Sequence, residues 1–225
     1  MGQRVEFPSH DHPCTGYLAL PAAGRGPAVV VIQEWWGLVP HIEDVVERFA
    51  SEGFLALAPD LYHGKTTRSP DDAMKMLMEL DAERAEREIA GAGAFLLARP
   101  ECSSHSWGVV GFCMGGALAQ YAATKESGVG AAVSFYGGFK KAPVDWGALT
   151  APLLLFYGEE DKGVSSELGM TMARQFRDVG KDVEAVVYAG VGHAFFNDTR
   201  REVYNGIAAE DAWKRTMAHF RKHVR

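Results

Sequence analysis

Three cysteines in 225 residues are too few, and too unevenly spaced, to make a disulfide framework. Cys14, Cys102 and Cys113 form an odd set without paired spacing, which suits a reducing compartment, so a cytoplasmic location is expected. Positive charge is also scarce. Lys and Arg number 23 against 29 Asp and Glu, a formal net charge of −6, so the basic surface that nucleic acid requires is lacking. No apolar run reaches the roughly 18 residues that would mark a membrane-crossing helix. Met1-Gly2-Gln3-Arg4-Val5 lacks the apolar core of a signal peptide. There is no internal repeat, no low-complexity tract and no linker rich in Ser and Pro. The hydrophobic fraction of 47% is enough for one sizeable core, and residues 1–225 read as one domain.

What is present is an alternation of short apolar runs with amphipathic stretches. Residues 3–8 and 17–20 predict a hairpin around the turn His10-Asp11-His12-Pro13. His10, His12 and Cys14 fit that turn better than a metal site, which wants four well-spaced ligands. Residues 27–33, 54–58, 107–112, 131–135, 152–157 and 183–188 read as strands buried on both faces, the mark of a parallel sheet. Helices are predicted over 41–52, 71–79, 81–98, 165–179 and 203–221. Asp81 is placed to cap one of them. Met74, Met76 and Met78 read as core filler, and Ile207, Trp213, Met217 and Phe220 as the core stripe of the last helix. The fold class is α/β, with a mostly parallel, doubly wound sheet flanked by helices.

Residues 107–120 are the centre of this pattern. A buried strand ends in Gly111-Phe112-Cys113-Met114-Gly115-Gly116 and runs straight into a helix former. This is the G-x-S-x-G turn with cysteine at its apex. Such a turn is sharp, so the positions two away on each side must lack bulk, and Gly111 and Gly115 fit. The apex side chain projects beyond the carboxyl edge of the sheet, beside a helix N-terminus that favours a thiolate. Asp161 and His193 each follow a later predicted strand, on the side of the sheet where open α/β folds place their sites. The spacing is 48 residues from Cys113 to Asp161 and 32 more to His193, in the order nucleophile, acid, histidine.

These pieces together resemble the dienelactone hydrolase family of the α/β-hydrolase fold. The motifs that carry the resemblance are Gln33-Glu34-Trp35-Trp36-Gly37, Pro59-Asp60-Leu61-Tyr62, the cysteine turn, Tyr157-Gly158 through Asp161, and Gly192-His193-Ala194-Phe195. The resemblance implies a Cys-His-Asp triad acting on a small-molecule ester or lactone, with Glu34 as an added carboxylate near the thiol and no cofactor or metal. Cys113 would attack the carbonyl, His193 would move protons, and Asp161 would orient the imidazole. The backbone N–H groups of Met114 and Trp35 would receive the oxyanion. Glu34 is expected to hold Cys113 as a thiol and to take its proton when substrate arrives. Trp36, Tyr62, Tyr136 and Phe195 are expected to wall the substrate pocket.

Family members specialised for dienelactone hold the substrate carboxylate with arginines, one of them four positions after the catalytic histidine. Asn197 stands there in this sequence, so a small neutral ester, lactone or enol ester is expected instead. Two other readings remain open. One is a redox-sensing or non-catalytic domain with a reactive thiol at Cys113, for which Cys102 is a poor resolving partner because it lies before the strand, at the opposite end from Cys113. The other is a dinucleotide-binding domain, but Gly111, Gly115 and Gly116 miss the G-x-G-x-x-G spacing.

Overall fold

The computed structural model describes residues 2–9, 12–138, 141–142 and 144–225, with no description of the Leu168 side chain. Among the described residues, eight strands and six α-helices follow one another in the order β1 (Gln3–Pro8), β2 (Pro13–Ala19), β3 (Gly26–Ile32), α1 (Pro40–Ser51), β4 (Leu55–Pro59), α2 (Pro70–Glu79), α3 (Ala82–Leu97), β5 (Cys102–Phe112), α4 (Met114–Lys125), β6 (Val129–Phe135), β7 (Leu153–Gly158), α5 (Ser166–Asp178), β8 (Val183–Tyr188) and α6 (Gly206–His223). A single 3-10 turn, Trp146–Ala148, lies between β6 and β7 and has no counterpart in the periodicity of the sequence.

The strands form one sheet in the order β1-β2-β4-β3-β5-β6-β7-β8. The hairpin β1–β2 pairs antiparallel to β4, and every pairing from β4 to β8 is parallel. The parallel strands are apolar almost throughout because helices cover both faces. One face packs α3 and α4 through Ile89, Leu96, Leu118 and Tyr121. The other packs α1 and α6 through Ile42, Phe49, Met217 and Phe220. Ser69, Asp81 and Asn205 cap α2, α3 and α6 by accepting from backbone N–H groups of the first turn.

Three expectations need correction. Ile207 is 87% exposed. Asn205 starts α6 three residues later than the pattern suggested, and the buried stripe then falls on Ala208, Ala212, Thr216 and Phe220, which leaves Ile207 facing out. Met74 and Met78 are exposed as well, since α2 buries only Ala73. The second strand begins at Pro13 rather than Tyr17, which makes Cys14 a buried strand residue. His10 lies outside the described residues. His12 is engaged with Glu88 at 2.9 Å, and the Cys14 thiol, pushed up to about 12 by burial and then by Glu88 and Asp60, donates to the Thr15 carbonyl. Among the described residues no group of three or more His, Cys, Asp or Glu side chains is arranged to hold a metal.

The turn between β5 and α4 is the tightest point of the fold. A Cβ on Gly111 would lie 1.9 Å from the Gly115 carbonyl oxygen, and one on Gly115 would lie 2.4 Å from the Gln33 carbonyl oxygen. Both obstacles are backbone, so no side-chain rotation relieves them. Gly111→Ala is therefore expected to destabilise by about 3 kcal/mol, a fall in Tm of roughly 6–12 °C for a chain of this size. Thermal denaturation followed by circular dichroism measures it; a Tm within 2 °C of wild type would show that the turn is less crowded than described.

Candidate active site

Cys113 sits between the last residue of β5 and the first of α4, with φ 57° and ψ −118°. This backbone conformation is unfavourable for a side-chain-bearing residue. It is held there by its own N–H donating to the Phe135 carbonyl at 3.0 Å and by its carbonyl accepting from Gly116 N–H at 3.0 Å. Of the four non-glycine residues with positive φ, Cys113, Tyr136 and Ala194 all lie at this end of the sheet. Strain concentrated in this way is a frequent mark of a functional site.

Asp161 follows β7 and His193 follows β8, and the sheet brings both to Cys113. His193 Nδ1–H donates to Asp161 Oδ2 at 2.6 Å. The other carboxylate oxygen accepts from Gly163 N–H at 2.8 Å and Val164 N–H at 3.0 Å. Burial opposes ionisation of Asp161, but the hydrogen bond and charge of His193 outweigh it and hold the carboxyl below its ordinary range. Burial likewise opposes a charge on His193. The hydrogen bond to Asp161 and the one to Cys113 overcome it and carry the imidazole up to about 10. His193 is thus hydrogen-bonded to Asp161 through Nδ1, with Cys113 also favouring its charged form.

Glu34 follows β3 and is buried. Its Oε1 accepts from the Tyr136 hydroxyl at 3.4 Å and its Oε2 from Asn197 Nδ2–H at 2.7 Å. Each oxygen keeps a second lone pair free of these two bonds. Tyr136 is fully buried, and its ring centroid lies 4.8 Å from that of His193. Its hydroxyl is kept protonated first by burial, then by the charge of Glu34.

Trp35 and Trp36 pack edge to face, ring centroids 5.0 Å apart, in the turn after Glu34. Met114 opens α4, where a backbone N–H has no acceptor inside the helix. Among the described residues neither the Trp35 nor the Met114 N–H donates to a protein acceptor. Tyr62 is buried, and its hydroxyl meets Met114 Sδ at 3.3 Å. Phe195 has 0% exposure and packs on Tyr136 and Tyr188, so it supports the wall from behind and offers no face to a ligand. A cleft of about 830 Å³ lies beside the site, bounded by Trp36, His41, Thr66, Arg68, Asn197 and Arg200. It adjoins the site through Trp36 and Asn197, and neither Cys113 nor His193 forms its walls.

The model of the dienelactone hydrolase family matches residues 14–224, nearly the whole chain. The chain belongs to the dienelactone hydrolase family. As a family member it is a hydrolase of the ester and lactone class. "Protein usf" of Aquifex pyrophilus is 38% identical over 231 residues, covering 100% of both chains. The "Putative carboxymethylenebutenolidase" of Aquifex aeolicus is 34% identical over 232 residues, again covering 100% of both. Among solved structures, the "Putative Dienelactone Hydrolase" of Klebsiella pneumoniae superposes with a TM-score of 0.89 at 29% identity, covering 99% of each chain.

Three features of this dienelactone hydrolase fold escaped the reading of the sequence. Asn197 was read only as a missing arginine, whereas it is the donor to Glu34. Thr199 stands behind it, its N–H and hydroxyl both donating to Asn197 Oδ1 at 3.1 and 2.6 Å. His41 is buried with neither ring nitrogen hydrogen-bonded, its Nδ1 3.3 Å from Asp198. A polar Asn197 closing the aromatic run Phe195-Phe196 was the one available signal.

Proposed function

We propose that the chain hydrolyses a small ester, lactone or enol ester through an acyl-cysteine intermediate. The observation that supports this best is the line Cys113–His193–Asp161, with the cysteine held at positive φ and the imidazole bound to Asp161 at 2.6 Å. Cys113 gives its proton to His193, and its sulfur attacks the carbonyl carbon. The carbonyl oxygen, now an oxyanion, is received by the Met114 and Trp35 N–H groups. The intermediate collapses, the C–O bond to the leaving group breaks, and that oxygen takes the proton from His193. A water then gives its proton to His193 and attacks the thioester. Breaking the C–S bond releases the acid and returns the proton to sulfur. Each step leaves Asp161 ionised.

Rapid mixing with 4-nitrophenyl acetate, followed by acid quench and peptide mass analysis, tests the intermediate. A burst of 4-nitrophenolate approaching one equivalent, with an acetyl group on the Cys113 peptide, is expected. Turnover in protein whose Cys113 has been blocked with iodoacetamide would overturn the mechanism.

A further inference from the structure

Glu34 is a buried carboxylate whose charge is met by neutral groups. Its side chain is 1% exposed, and the partners of its two oxygens are a phenol and an amide. The candidate cations nearby are otherwise engaged. His41 is kept below its ordinary value, first by its own burial. Arg200 is paired with Glu202 at 2.9 Å, its guanidinium lying over Trp36. His193 is bound to Asp161. A hydrogen bond from a neutral donor stabilises a carboxylate but cancels none of its charge.

The amide of Asn197 has only one workable orientation. Its Oδ1 faces two donors, Thr199 N–H and Thr199 Oγ1–H. Turning it over would set Nδ2 against the Thr199 N–H and Oδ1 against a carboxylate. The segment itself is tied down, since Asn197 N–H donates to the Ala194 carbonyl at 3.0 Å, next to His193. The amide therefore always presents a donor to Glu34, and a donor favours the ionised acid.

We infer that Asn197 is a positioning residue that holds the Glu34 carboxylate in place, and that this uncancelled charge makes the site select uncharged acyl groups over those bearing a carboxylate. The inference rests on the ester-hydrolase reading above and names its substrate class. Like charges about 8 Å apart at an effective dielectric of 20 discriminate by on the order of 30-fold.

The test compares kcat/KM for two esters of matched shape, 4-nitrophenyl 4-methylpentanoate and mono-4-nitrophenyl succinate. The wild type is expected to favour the neutral ester by on the order of 30-fold, with a ratio flat between pH 6 and 8. In Glu34→Gln the ratio falls at least fivefold. In Asn197→Leu the carboxylate loses the donor that fixes its place, so the ratio falls toward that of Glu34→Gln. Thr199→Val removes one of the two donors that hold the amide oxygen and shifts the ratio the same way by less, which keeps the test alive if Asn197→Leu does not fold. A purely structural role for Asn197 would lower both rates together, leave the ratio constant and overturn the inference. A wild-type ratio near one, or a preference for the succinate ester, also overturns it; the latter would point to Arg68 and Arg200. Hydrolysis of the neutral ester that survives in Cys113→Ala defeats the cysteine mechanism whatever the ratio. Failure of the wild type on both esters defeats both proposals.

Discussion

Cys113→Ala is expected to lower kcat/KM for 4-nitrophenyl acetate by on the order of 10⁴- to 10⁶-fold. The substitution removes the proposed nucleophile and leaves no sulfur to carry the acyl group. It leaves Cα, and therefore the strained turn, where it was, because alanine and cysteine share a Cβ. The proposed oxyanion donors at Trp35 and Met114 are backbone and survive, so a residual rate above that of water is expected. His193→Ala should cost about as much. The double variant should be little worse than either, because the two side chains act as a unit. Steady-state kinetics on the three variants decide the matter. A single variant within tenfold of wild type, or losses that multiply in the double variant, would show that Cys113 and His193 work separately.

Asp161→Asn is expected to cost about 10⁴-fold in kcat, for a reason specific to this site. One carboxylate oxygen of Asp161 accepts from Gly163 and Val164, and the other from His193. In the variant the two backbone donors will hold the amide oxygen, so the amide NH₂ must face His193 Nδ1. Nδ1 then becomes an acceptor and the ring proton moves to Nε2, which can no longer take one from the thiol. The same change should return the imidazole from about 10 toward its ordinary value, visible as an earlier transition in a proton NMR titration of the ring. Stability follows with opposite signs at the two ends. His193 is raised in the fold, so its contribution is complete below its unfolded value near 6.5 and is lost as pH climbs toward 10. Asp161 is depressed, so its contribution is present above its unfolded value near 3.8 and is lost as pH falls through the lower folded value. The destabilisation of Asp161→Asn should therefore be greatest between about pH 4 and 6.5 and should shrink on either side. A denaturation midpoint difference that is flat from pH 4 to 10 would contradict the linkage.

The fold was legible because its strands are short, apolar and separated by amphipathic helices, a pattern set by local residue choice. The turn at Cys113 was legible for a similar reason, since its glycines sit at fixed offsets from the apex. Asp161 and His193 could be placed because each ends a strand on the same edge of the sheet. What stayed hidden depends on contacts between distant parts of the chain. Tyr136 reaches Glu34 across 102 residues and Asn197 reaches it across 163, and no local pattern encodes either. Tyr136 and Phe195 looked like pocket walls because they are aromatic, but the sheet turns both inward. Ile207 failed for a smaller reason: its spacing from Ala208, Ala212, Thr216 and Phe220 puts it off the stripe that α6 buries.

The turn that carries Cys113 leans on three strands made at different times. Gln33 and Ile32, at the end of β3, back one side, and Phe135, at the end of β6, receives the Cys113 N–H. During synthesis β3 and β5 exist before β6 does, and His193 emerges 80 residues after the cysteine. A nascent chain thus carries its sulfur for most of translation without the base that activates it or the strand that sets its angle. On the proposed mechanism Cys113 meets its base only once the C-terminal third has folded on, so the site is completed last, with the finished sheet.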